Sequence, residues 1–155
     1  MGYNKCVDKV TYDTGGIAMI QLIAGAKGQG KTKKLIQMAN DSVKNTDGRV
    51  VFIDKNNRHM YTLHYDIRLV ETNNFPLSNY REFIGFLYGI LAMDNDIKEV
   101  YVDGLTHVIK EIDNDGLLKL LAKLKELNTT HGVNFVSSMN IEPDTIPEEA
   151  KQYLI

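Results

Sequence analysis

The sequence predicts an α/β protein, a three-layer α/β/α sandwich around a mostly parallel central sheet. Three observations carry that expectation. Short apolar runs alternate with segments whose apolar residues recur every three or four positions. The runs are apolar almost throughout, as strands covered by helices on both faces must be. They end at Gly25, Asp54, Asp103 and Ser138, and ligands of such sheets bind beyond the carboxyl ends of the strands.

The chain has 155 residues, the size of one domain with a sizeable core. Its net charge of −2 supplies no general attraction to nucleic acid or an anionic membrane. Lys119, Lys123 and Lys125 are accounted for as the solvated face of a helix, so no nucleic-acid partner is expected. No apolar run approaches the roughly 20 residues of a membrane helix, so no membrane association is expected. The N-terminal stretch also lacks the apolar segment of a secretory signal. Cys6 is the only cysteine, which excludes an internal disulfide and points to a reducing cytoplasm.

Residues 1–16 read as an N-terminal extension or as a hairpin turning at Thr14-Gly15-Gly16. Residues 17–155 read as one domain. Ile17 to Ala24 forms its first buried strand. From Thr32 the period changes: Leu35, Ile36, Ala39 and Val43 share one face of a helix that Gly48 stops. Arg49 to Asp54 is a second strand, followed by a polar loop and a short strand at Ile67 to Glu71. Pro76 and Ser78 introduce a helix buried through Phe83, Ile84, Leu87, Ile90 and Leu91. Lys98 to Gly104 is the next strand, and Leu117, Leu120, Leu121, Leu124 and Leu127 mark the next helix. Val133 to Ser138 is a further core strand. The tail fits a short helix, with Pro147 in its first turn and Glu148 and Glu149 near its N-terminus.

Gly25-Ala26-Lys27-Gly28-Gln29-Gly30-Lys31-Thr32 satisfies G-x-x-x-x-G-K-[ST] in full. Chance would produce the pattern roughly once in a few hundred chains of this length. Here it also follows an apolar strand and opens an amphipathic helix, the context the chemistry requires. Glycines let the backbone wrap so that several N–H groups converge on phosphate oxygens. The following helix adds its positive dipole. Lys31 then reaches the β- and γ-phosphates and the Thr32 hydroxyl ligates Mg²⁺. Lys27, inside the loop, is a further phosphate contact.

The segment resembles the Walker A loop of P-loop NTPases. With "VYVDG" at Val100 to Gly104, the chain is similar to their RecA-like ATPase branch, in which another strand usually separates the Walker A and Walker B strands. It also resembles small bacterial P-loop proteins labelled twitching-motility-type ATPases, through "MIQLIAGAKGQGKTKKLIQMAN", "EVYVDG" and "SSMNIEPDTIPEEAKQYL". The acidic and histidine-containing boxes of a pilus motor are not found in it. The resemblance implies ATP and Mg²⁺ as ligands, with Asp103 holding Mg²⁺ near Thr32. It implies a catalytic carboxylate too. Many ATPases of this branch have glutamate after the Walker B aspartate, whereas Gly104 stands here. Asp54, ending the second strand, is the leading substitute; His107, Asp113 and Asp115 are others. Ser137, Ser138 and Asn140 lie where related proteins sense the γ-phosphate, and a polar turn explains them equally well. Arg49, Arg58, Arg68 and Arg81 are candidate arginine fingers, Arg58 being the best placed. No guanine-reading N-K-x-D follows the loop, so ATP is expected over GTP.

The leading functional expectation is a Mg-ATP-binding protein that hydrolyses slowly until a protein partner or homo-oligomer activates it. A second is a nucleoside-type kinase, since "VVFIDKNNR" and "VYVDG" faintly resemble the layout of zinc-containing thymidine kinases. Their Asp-Glu pair and cysteine cluster are both missing from this sequence. A third is an ATP-dependent scaffold with little turnover, residues 56–74 being its switch segment.

Overall fold

In the computed structural model the residues described are 19–155; the extension or hairpin expected at 1–16 lies outside them. The elements run β1 (Ile20–Ala24), α1 (Lys31–Asn45), β2 (Arg49–Asp54), β3 (Arg68–Glu71), α2 (Tyr80–Met93) and β4 (Ile97–Val102). There follow a one-turn α3 (Leu105–Val108), α4 (Asn114–His131) and β5 (Asn134–Met139), then 3₁₀ turns at Pro143–Thr145 and Glu148–Tyr153. The five strands form one sheet in the order β1-β5-β4-β2-β3. Every pairing in it is parallel. The α/β architecture expected from the alternating apolar runs is therefore the observed one. β5 separates β1 from β4, the arrangement implied by the RecA-like resemblance.

The strands are apolar on both faces because both faces are covered. Along β2, Val51 and Ile53 point to the core that includes Phe83, Ile84 and Leu87 of α2 and Leu117, Leu120, Leu121, Leu124 and Leu127 of α4. Val50 and Phe52 point the other way, to Leu35 and Ala39 of α1, Tyr101 of β4 and Val136 of β5. The period-2 alternation of a strand thus feeds two cores from one run of residues. Each fully buried leucine contributes about 1.5–3 kcal/mol. Phe52 and Tyr101 stack with ring centroids 6.5 Å apart. The Tyr101 hydroxyl donates to Glu99 Oε1 at 2.8 Å. Burial and the Glu99 charge push that phenol above its ordinary range.

Caps fix the helix starts. Asn79 rather than Ser78 caps α2, its side chain accepting the Glu82 N–H at 3.0 Å. Asp113 caps α4 by accepting the Gly116 N–H at 2.8 Å. Three local features differ from the sequence-based expectations. The one-turn α3 has no signal in the sequence, because four residues are too few to display a period. The tail forms 3₁₀ turns instead of a short α-helix, with Pro147 at the N-cap position and not inside the first turn. Pro143 and Pro147 each remove a backbone donor from this segment, leaving room only for short turns. The tail then meets the side of β1 opposite β5: Leu154 bridges Leu22 in parallel, and the Ile155 N–H donates to Leu22 O at 3.0 Å.

The third difference concerns Gly48. α1 already ends at Asn45 with Thr46 as its C-cap. Gly48 instead lets the chain pass the entry to β4. A Cβ there would collide with Lys98 Cγ and lie 2.5 Å from the Asp96 carbonyl oxygen. The lysine stem can swing away, but the backbone carbonyl cannot do so cheaply. Gly48→Ala should therefore destabilise the domain by about 1–3 kcal/mol, measured by urea unfolding. An unchanged midpoint would contradict this packing.

Candidate functional site

The glycine-rich segment is the turn between β1 and α1. Gly28 (φ 87°) and Gly30 (φ 79°) adopt the left-handed conformation, which strains any residue with a Cβ. The turn is braced internally. Gln29 Oε1 accepts the Ala26 N–H at 2.9 Å. Lys31 Nζ donates to Ala26 O at 2.7 Å. Lys31 is only 8% exposed, so its ammonium is held inside the turn. A Cβ built on Gly28 or Gly30 would meet nothing within 4 Å, so no other group packs against the turn at those two positions. Lys27 is exposed at the rim.

Thr32, in the first turn of α1, meets Asp103 at the end of β4. Its hydroxyl lies 3.1 Å from Oδ1 and 3.2 Å from Oδ2, a contact across 71 residues of chain. Ser138 at the end of β5 completes this cluster. Its hydroxyl donates to Asp103 Oδ1 at 2.8 Å and accepts the Gly104 N–H at 2.8 Å. Both Asp103 and Ser138 are buried. The Ser138 side chain is thus engaged with Asp103. Ser137 donates instead to Val102 O at 3.2 Å, within the sheet.

Asp54 ends the strand beside β4 and is 3% exposed. Its Oδ1 accepts the Lys55 N–H at 2.6 Å. Its Oδ2 is buried with no hydrogen-bond partner among the described residues. Burial and the negative charge of Asp103 raise its pKa above the ordinary 3.8; the Lys55 N–H, His59 and Arg58 act in the opposite direction. His59 adds an imidazole nitrogen to the two carboxylates, and one ligand atom from each of the three residues lies within 4.8 Å of the others. Sequence reasoning does not single out His59. A histidine in a polar loop five residues past a strand end has no periodicity to betray it.

Residues 55–67 connect β2 toward β3 over the same end of the sheet. Leu63 and Ile67 bury into the α1-side core. Asn40 of α1 clamps the segment at two points, donating to Thr62 O at 2.9 Å and accepting the His64 N–H at 2.7 Å. Asn40→Ala is expected to increase amide exchange of His64 about fivefold or more, the scale of one lost hydrogen bond near 1 kcal/mol. Unchanged exchange there would show that Leu63 and Ile67 alone hold the segment.

The remaining candidates disperse. Arg49 pairs with Asp94, and both line a groove with Arg68 at the opposite end of the strands. Arg81 lies over the Tyr80 ring, 5.1 Å from its centroid. Asp113 is spent on its cap, and Asp115 pairs with Lys119 at 3.0 Å. His107 is exposed on α3, and Asn140 is half-buried after β5. Arg58 is exposed on the segment beyond Asp54.

These observations define a class: an all-parallel α/β domain whose first strand-to-helix turn is glycine-rich and faces a carboxylate at the end of another strand. Among solved structures, the chain is similar to the flagellar accessory protein FlaH from Methanocaldococcus jannaschii. The match has a TM-score of 0.56 and 12% identity, covering 87% of this chain and 67% of that one. At that identity the likeness is one of fold. No protein-family model matches the sequence, and no curated protein does. Among the described residues, no helix is long and apolar enough to cross a membrane.

Proposed function

We propose that this protein binds Mg-ATP at the β1–α1 turn and hydrolyses it slowly, with a partner or a further copy of the chain raising the rate. The contact between Thr32 and both oxygens of Asp103, beside the half-enclosed Lys31 ammonium, is the observation that carries the reading. The donor set suits the ligand. Hard oxygens from a hydroxyl and a carboxylate fit Mg²⁺. Left-handed glycines with unoccupied space at their Cβ positions fit a polyphosphate cradled by backbone N–H groups.

Bound Mg²⁺ would neutralise charge on the phosphates. The chain's own residues do the rest. The backbone of Gly25, Ala26, Lys27, Gly28, Gln29 and Gly30 forms the cradle. Lys31 exchanges Ala26 O for phosphate oxygens. Thr32 and Asp103 would hold the cation, and Ser138 orients Asp103 through its hydroxyl. Asp54 is the carboxylate that orients the attacking water and takes its proton. Slow turnover follows from Gly104 standing where a glutamate is usual in the resembling ATPases. Arg58 is the candidate for an arginine acting on a neighbouring copy, a contribution that can reach several orders of magnitude.

A scaffold reading has one specific observation in its favour. Tyr61 (92% exposed) and Tyr65 (89% exposed) stand on the segment beside the site, as partner-facing residues would. One experiment separates the readings: Mg-ATP and Mg-GTP titrations of the purified protein, followed by phosphate release. ATP binding with slow release supports the ATPase. ATP binding with no release supports the scaffold. Phosphorylation of an added nucleoside would establish the kinase instead, and failure to bind either nucleotide would overturn all three.

A further inference from the structure

We propose that Asp54, His59 and Asp103 form a divalent transition-metal site of their own, filled without nucleotide and selective for an ion such as Mn²⁺ over Mg²⁺. The proposal deepens the site assigned above, with which it shares Asp54 and Asp103, but it concerns the nucleotide-free protein and does not require that ATP bind there.

Geometry is the first argument. One ligand atom from each residue falls within 4.8 Å of the other two. Ligands on a common ion at about 2.1 Å lie roughly 3 to 4.2 Å apart, so a contraction of the cluster by under about 2 Å brings the three atoms onto one ion. The second argument is independent of the cluster. Asp54 Oδ2 is buried without a partner among the described residues, although the residue as a whole is only 3% exposed. Buried polar atoms are nearly always satisfied, so an unpartnered carboxylate oxygen is suited to receive a donor or a cation. Asp54 and Asp103 also repel each other across the site, and a single cation held by both carboxylates removes that repulsion.

The donor set supplies the selectivity. Mg²⁺ favours oxygen and keeps much of its water, and an imidazole adds little to its binding. A borderline ion gains from the nitrogen. Both carboxylates are positioned by hydrogen bonds. Asp54 Oδ1 is fixed by the Lys55 N–H, and Asp103 is fixed by Thr32 and Ser138. Such outer contacts orient metal ligands and sharpen affinity.

The test uses the full chain, freed of metal by chelation and with no nucleotide present. Mn²⁺ is titrated and followed by electron paramagnetic resonance, with pulsed measurements reading coupling to a ligand nitrogen. The expected result is one bound Mn²⁺ with nitrogen coupling, retained under a tenfold excess of Mg²⁺. His59→Gln should abolish the coupling and weaken binding about tenfold or more, since even outer-contact mutations cost 10- to 100-fold. His131→Gln, altering an exposed histidine at the end of α4, should change neither. Absence of Mn²⁺ binding, persistence of the coupling in His59→Gln, or ready displacement by Mg²⁺ would each overturn the proposal. Because ATP is absent, failure here is distinct from failure of the nucleotide titration.

Discussion

Lys31→Ala is expected to weaken Mg-ATP binding by about two orders of magnitude, measured calorimetrically at fixed Mg²⁺. Charge-assisted hydrogen bonds contribute roughly 1.5–3 kcal/mol each, and about 2.8 kcal/mol corresponds to a hundredfold. The side chain is pre-positioned for this role. Its ammonium is held inside the turn on Ala26 O at 2.7 Å, so reaching a phosphate requires a change of acceptor and little loss of chain freedom. Ala26 is itself only half-buried, so water replaces the donor on its carbonyl once the ammonium is removed. The cost to folding should therefore be small beside the loss of affinity. An affinity within threefold of wild type would remove Lys31 from the site, and the proposed nucleotide chemistry with it. Lys31→Arg should not rescue binding, because a planar guanidinium cannot reproduce a compact ammonium within this turn.

Asp54→Asn has the next largest expected effect, on turnover instead of binding. Phosphate release should fall by about 10²–10⁴-fold, the usual contribution of a positioned general base, while ATP affinity stays within a few-fold. Release at the wild-type rate would exclude Asp54 as the base. The same variant carries a stability signature in chelator. The folded state raises the pKa of Asp54 above 3.8, so the native protein holds this proton more tightly than the unfolded chain. Stability consequently falls as pH rises from 3.8 toward the raised folded value, and the full deficit persists above it. An asparagine side chain has no such titration. The variant should therefore unfold at a higher temperature than wild type at neutral pH. That advantage should shrink on acidification and vanish below the ordinary aspartate range. A variant equally stable at every pH would mean that the burial and Asp103 repulsion acting on this carboxylate are offset by its surroundings.

Much of the site is legible in the sequence because its parts are contiguous or terminate apolar runs. Gly25 to Thr32 is one continuous word whose spacing reflects local backbone requirements, and the strand before it and helix after it are readable from periodicity. Asp54 and Asp103 stand out as carboxylates closing buried strands. The two-core sheet is legible for the same reason, since β2 and β4 carry apolar residues at consecutive positions. Local endings are less readable. Thr46 stops α1 before Gly48 does, and the tail, helical by its pattern, winds into 3₁₀ turns. Those outcomes depend on which neighbouring carbonyl a backbone meets, as at Gly48 and Asp96.

What the sequence determined by itself is therefore the alternation of strands and helices and the glycine-rich β1–α1 turn with its Lys31 and Thr32, because both arise from residues close along the chain. Only the tertiary structure decided which groups share the space above the sheet. The carboxylates meet because β2 pairs directly with β4, with Ile53 opposite Val102 and the Asp103 N–H donating to Ile53 O at 2.9 Å. Ser138 reaches Asp103 because β5 lies between β1 and β4. His59 joins them because its loop is pinned to α1 through Asn40, Leu63 and Ile67. Strand order and loop docking are settled by packing between distant segments, and no local pattern records them.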